Sequence, residues 1–103
     1  MKFDKHVKIS IPNSLKEKVA DKAAQLGMNT ASFVRFILYE AIKDGRVMTS
    51  IPTMRCDSSL KFKAPEEFMM HIERQAHQSN IPIGTYIRVL LSDAISKKES
   101  ENE

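Results

Sequence analysis

The sequence predicts a mainly α-helical fold with a two-stranded antiparallel β-ribbon, built from two tandem strand-helix-helix repeats that pair as an intramolecular pseudo-dimer. Three observations predict it. The chain of 103 residues repeats itself at an offset of 53, aligning residues 6–45 with 59–98 without a gap, and a fixed period has to be read before any motif. Each copy opens on the apolar/polar alternation of a half-buried strand. Each then carries two stretches whose apolar residues recur at helical spacing.

Identities fall at Lys8/Lys61, Pro12/Pro65, Ala23/Ala76, Gln25/Gln78, Arg35/Arg88, Leu38/Leu91, Ala41/Ala94 and Ile42/Ile95. Eight matches in forty are fewer than a repeat needs by itself, and the retained apolar character is the stronger sign. It persists at Val7/Leu60, Ile9/Phe62, Leu15/Phe68, Val19/Ile72, Phe33/Tyr86, Val34/Ile87 and Ile37/Leu90.

The opening strands set Val7, Ile9 and Ile11 with Leu60, Phe62 and Ala64 on one face, because side chains alternate with a period of two. Pro12 and Pro65 end them. Ser14 followed by Glu17 has capping-box spacing, and Pro65-Glu66-Glu67 puts a proline and two acids where a first helical turn favours them. The first helix of each copy buries Leu15, Val19, Ala23 and Leu26, or Phe68, Ile72 and Ala76. Gly27 ends the first of these. In the second copy Asn80-Ile81-Pro82-Ile83-Gly84 replaces that turn, with Asn80 suited to the left-handed conformation and Pro82 to the first helical turn. The second helices carry Phe33, Val34, Ile37, Leu38, Ala41 and Ile42, matched by Tyr86, Ile87, Leu90, Leu91, Ala94 and Ile95. So wide an apolar stripe implies deep burial.

A unit of about 40 residues is near the size below which a chain rarely folds alone. A lone ribbon is also marginal until helices cover one face, so four helices beneath two paired strands is the economical arrangement. Residues 1–98 then form one domain, with repeat one at 6–45, a linker at 46–57 and repeat two at 59–98. Twelve linker residues reach about 40 Å when extended, enough to cross a domain of this size. The polar stretch 99–103 lacks apolar periodicity and reads as a disordered tail.

Composition narrows the function. Apolar content of 42% and charged content of 28% belong to an ordinary globular chain. No apolar run approaches the roughly 20 residues of a membrane span, and the stretch Met1 to Ile11 lacks the apolar core of a signal peptide. A cytoplasmic setting is the expectation, and a single Cys56 cannot form an internal disulfide. The net charge of +3 favours an anionic partner. Residues 1–45 hold eight Lys/Arg against five Asp/Glu, and residues 46–96 hold six against five.

With proline closing the strand and Gly27-Met28-Asn29-Thr30-Ala31-Ser32-Phe33-Val34-Arg35 opening the second helix, each copy resembles the ribbon-helix-helix family of DNA-binding proteins, the β-ribbon readers of the MetJ and Arc type. The resemblance covers residues 6–45 and 59–98. Two copies in one chain look like a single-chain pseudo-dimer, a tandem form similar to TraY-like accessory proteins of conjugative plasmids. It implies a ribbon that enters the major groove and a partner of double-stranded DNA. The implied roles are transcription regulation or service as an accessory factor in a plasmid relaxosome during conjugation. Adjacent copies of the same protein on DNA, and a relaxase or toxin protein, are further candidate partners.

The outward strand positions His6, Lys8, Ser10, Ser59, Lys61 and Lys63 contain no acid. Lysine donates to guanine O6 and N7 and serine pairs with several base edges, so these six are the candidate base contacts. Any solvated sheet face is polar, which is the alternative reading. Asn29 is a good N-cap, and the amides of Thr30 and Ala31 with the Thr30 hydroxyl are candidates to hold a phosphate at the helix N-terminus. Ile83, Gly84 and Thr85 are the matching group, and plain capping is the alternative for both. Arg35 and Arg88 either reach phosphate or cap a nearby acid, with packing or surface ion pairing the commoner role. Lys2 and Lys5 form a possible basic arm, weakened by Asp4.

Catalysis finds no foothold. His71 and His77 stand six apart on one helix and do not share a face, and no Cys/His cluster has zinc-ligand spacing. Glu66-Glu67 suits dipole compensation, and no phosphate loop or nucleophile elbow is present. No enzyme activity, metal or cofactor is expected, and Cys56 reads as an inert linker thiol. The expected function is sequence-specific binding of double-stranded DNA. The rival is a protein-interaction module, such as an antitoxin or assembly factor, that uses the linker and tail as binding segments.

Overall fold

The alternation at the head of each copy folds as strand, β1 over Lys5–Ile11 and β2 over Ser58–Ala64, in a computed structural model that describes residues 5–48, 51 and 53–101. The strands pair antiparallel within the one chain, from Lys5 opposite Ala64 to Ile11 opposite Ser58. Four helices follow the predicted order: α1 Asn13–Gln25, α2 Thr30–Asp44, α3 Glu66–Gln78 and α4 Ile83–Glu101. Of the expected basic arm, Lys5 is instead the first residue of β1, while Lys2, positions 49, 50 and 52, and the last two residues lie outside the described residues. Helix α4 continues through Glu101, past the boundary that the loss of apolar periodicity set at residue 98. No described helix is long and apolar enough to cross a membrane.

The inward strand residues Ile9, Ile11, Leu60, Phe62 and Ala64 are buried against the stripes of all four helices. Phe33, Val34 and Leu38 of α2 meet Tyr86, Ile87 and Leu91 of α4 in this common core, each without exposed surface. Neither repeat holds that core alone, as expected for units of this size.

Three helices end by one device. After α1 the Met28 amide bonds the Ala23 carbonyl and the Gly27 amide the Ala24 carbonyl, a Schellman pair that needs a left-handed residue between helix and loop. Gly27 supplies it at φ +71°, Gly45 does so after α2 at φ +61°, and Asn80 after α3 at φ +64°. Asn80 thus takes the predicted conformation, tolerated because its short polar side chain relieves the left-handed cost.

The helix starts need two corrections. Ser14 and Glu17 do not form a capping box: Pro12 takes the N-cap position, α1 begins at Asn13, and Glu17 accepts from the Asn13 amide side chain instead. The Asn13 backbone amide is capped from the linker by Asp57, at 2.8 Å. Pro82 stands just before α4 rather than in its first turn, its carbonyl accepting from the Tyr86 amide. Pro65 is likewise the residue before α3, with Glu66 and Glu67 in the first turn as expected.

The linker is docked. Arg46 pairs with Asp93 of α4, the Met48 amide donates to Ser79 Oγ at 2.8 Å, and Met48 is buried. Beneath it, Gln75 Nε2 donates to the Tyr86 hydroxyl at 2.8 Å and to the Ala41 carbonyl at 3.1 Å, and the Tyr86 hydroxyl donates to the Arg46 carbonyl. Burial holds the Tyr86 phenol above its ordinary value, against the opposing pull of Gln75 and Arg46. The folded chain therefore keeps a proton that the unfolded chain releases near pH 10. This stabilisation is complete below about pH 10 and is lost as pH rises through the folded value. Tyr86→Phe should cost about 1–3 kcal/mol near neutrality, because the Arg46 carbonyl and Gln75 lose a buried partner. It should also flatten the fall of stability above about pH 10, read from urea midpoints across pH.

Candidate nucleic-acid interface

Pleating carries the six outward residues to one face, and the register sorts them into three cross-strand pairs: His6 with Lys63, Lys8 with Lys61, and Ser10 with Ser59. Ser59 is half-buried and the other five are exposed. Lys8 and Lys61 are repeat mates as well as cross-strand partners, so the pseudo-twofold axis passes between them. One end of the ribbon therefore shows a histidine and a lysine, and the other shows two serines.

Lysines directly opposite each other repel, at a cost of a few tenths of a kcal/mol or more. Here Lys63 lies beside that pair on the same face, and among the described residues no carboxylate pairs with Lys8, Lys61 or Lys63. The ribbon thus concentrates uncompensated positive charge around its pseudo-axis. A shallow depression of about 440 Å³ is lined there by His6, Lys8, Lys61 and Lys63, with Val7 and Phe62 at its floor.

The helix N-termini flank the ribbon. Asn29 caps α2 as expected, its side chain accepting from the Ser32 amide at 2.8 Å. The amides of Thr30 and Ala31 have no acceptor among the described residues. In α4 the residue before the helix is Pro82, which has no side-chain acceptor, and the amides of Ile83, Gly84 and Thr85 all remain without one among the described residues. The second copy, where loss of the polar cap cast doubt on an anion contact, thus leaves one more amide open than the first. Gly84 sits against the strand: a Cβ built there would lie 3.8 Å from the Ile9 side chain, ordinary contact that alanine would tolerate.

Arg35 and Arg88 each reach a strand carbonyl and a first-turn hydroxyl. Arg35 donates to the Lys63 carbonyl at 2.9 Å and to Ser32 Oγ at 3.2 Å. Arg88 donates to the Ser10 carbonyl at 3.0 Å and to Thr85 Oγ1 at 2.8 Å. Lys63 is the repeat mate of Ser10 and Thr85 that of Ser32, so one clamp occurs twice about the pseudo-axis. Each guanidinium ties the first turn of its helix to the strand of the other repeat. The pattern was available in sequence as a hydroxyl residue three positions before each repeat-matched arginine.

His71 and His77 are exposed on α3, away from the ribbon, and Cys56 is a half-buried free thiol in the linker. Among the described residues no three His, Cys, Asp or Glu side chains gather closely enough to hold a metal ion. Comparison of the chain with family models, with curated proteins and with solved structures returns no match.

Proposed function

We propose that this chain is a sequence-specific double-stranded DNA-binding protein that lays its ribbon in the major groove. The carrying observation is the outward face of His6, Lys8, Ser10, Ser59, Lys61 and Lys63, free of acids, with two lysines opposed at the pseudo-axis. A major groove about 12 Å wide admits a two-stranded ribbon. Charge repulsion on that face is offset when phosphates and base acceptors surround it. In this reading Thr30 and Ala31 on one side, and Ile83, Gly84 and Thr85 on the other, hold flanking phosphates through their open backbone amides. The clamp leaves the Thr85 hydroxyl its own proton to donate.

Transcription regulation, or a structural role in a plasmid relaxosome, is the setting we infer from the tandem ribbon-helix-helix resemblance. The interaction module is the weaker candidate, since Arg46, Met48 and Asp57 of its supposed binding arm are already engaged with the chain's own helices.

Selection from a random duplex library at physiological salt tests this function and returns the site. A short, imperfect inverted repeat is expected, because the two ends of the ribbon carry different residues. Lys63→Ser replaces a residue by the type found at its repeat mate Ser10, and should erase a guanine preference from one half-site and make the halves more alike. Binding that is uniform across sequences, or a strictly symmetric site that Lys63→Ser leaves unaltered, would refute base readout by this face.

A further inference from the structure

Five large apolar residues are exposed among the described residues: Leu26, Phe36, Tyr39, Val47 and Met70. Three of them have repeat mates on one surface of the other half. Leu26 matches Ser79, Phe36 matches Val89, and Tyr39 matches Ser92. Those mates lie where the linker runs. Ser79 Oγ accepts the Met48 amide, Ser92 and Ile95 line a groove with Met54, and Val89, one turn before the Arg46-bound Asp93, is 3% exposed. Phe36 is 42% exposed.

The pseudo-axis therefore relates a covered surface to an open one. On the covered side, Arg46 pairs with Asp93, and Met48, Ile51 and Met54 pack against the core. On the open side Asp93 is matched by Glu40, exposed and without an ion pair among the described residues. The groove wall formed by Leu15 and Ser92 is matched by Phe68 and Tyr39, whose rings meet at a centroid distance of 6.0 Å. Among the described residues nothing of this chain covers that side, where Leu26, Phe36 and Tyr39 are exposed, and α4 continues as helix through Glu101.

We propose that the face formed by Leu26 at the end of α1 and Phe36, Tyr39 and Glu40 of α2 is a docking site for an extended segment of another protein. The segment carries a basic residue followed by apolar residues at the spacing of Arg46, Met48, Ile51 and Met54. The cation meets Glu40 as Arg46 meets Asp93, and the apolar residues cover Phe36 and Tyr39. A second copy offers no such segment from its linker, which is held on its own α4. The face shares no residue with the ribbon, so this site is independent of DNA binding.

A synthetic peptide of residues 45–57 of this chain is the probe, titrated into the full-length protein and followed by amide chemical shifts and light-scattering mass. Saturable shifts at Leu26, Phe36, Tyr39 and Glu40, with the mass of one chain retained, are expected. Phe36→Ser combined with Tyr39→Ser should weaken binding about tenfold or more through lost apolar burial. The comparison is made at a temperature where the variant is fully folded, since Tyr39 also packs on Phe68, and Glu40→Lys should weaken the same peptide. Shifts that map instead to Ser79 and Asp93, a doubled mass, or no saturable shift at millimolar peptide would each overturn the proposal.

Discussion

Replacing Lys8 and Lys61 together by alanine should weaken binding to the selected DNA site by about 30-fold or more, without lowering the urea midpoint. Each lysine that donates to a base edge contributes about 1–3 kcal/mol of discrimination, and every 1.4 kcal/mol is about tenfold in affinity. Both side chains are exposed and face each other across the ribbon, so their removal relieves a like-charge pair rather than opening a cavity. The opposite signs make the measurement sharp. A structural role would lower both quantities together. A role confined to the general field of the protein would weaken specific and random duplexes equally, and would steepen neither preference nor discrimination. The informative quantity is thus the ratio of specific to non-specific affinity at one fixed salt concentration. That ratio should collapse in the double variant, and an unchanged ratio would refute base contact at the pseudo-axis.

The periodic features of this fold were legible in the chain. Alternation put Ile9, Ile11, Leu60 and Phe62 inward and the six candidate contacts outward, and the repeat offset implied that the strands pair. What stayed hidden was tertiary and non-periodic. Met48, Ile51 and Met54 recur every third residue across Pro52, a spacing no strand has and a proline that interrupts a helix, so nothing local announced that the linker packs on α4. Asp57 caps a helix that starts 44 residues earlier in the chain, at Asn13, and only the fold brings them together. The capping-box signature at Ser14 failed because Pro12, fixed near the φ of −62° that it adopts, already occupied the N-cap. Lys22 and Phe33 match Gln75 and Tyr86, so the side chains of the buried polar network come from the second repeat alone and left no trace in the repeat comparison.

The arginine clamps were half legible, as matched charges without an assigned partner, and their removal is the second large effect. Arg35→Met and Arg88→Met each delete hydrogen bonds from a charged donor to a strand carbonyl and to a first-turn hydroxyl. Methionine preserves most of the side-chain bulk, so the loss is chiefly polar. Bonds of this kind contribute about 1.5–3 kcal/mol when well formed, and partial exposure places these near the lower end, about 1–2 kcal/mol each. The two clamps share no partner, so the double variant should lose roughly the sum. Lysine should not restore either one, because an ammonium is a point donor and the clamp uses the fork of a guanidinium to reach a carbonyl and a hydroxyl together. The consequence for DNA should exceed the consequence for stability. Each clamp ties the ribbon to one helix N-terminus, the two surfaces that the proposed complex brings to bases and phosphates in one register. At temperatures where the variants remain fully folded, specific affinity should therefore still fall, with a smaller change on random duplex. Variants with Lys at 35 and 88 that match the parent in both urea midpoint and affinity would show that charge alone suffices there, and would remove the clamp from the account of recognition.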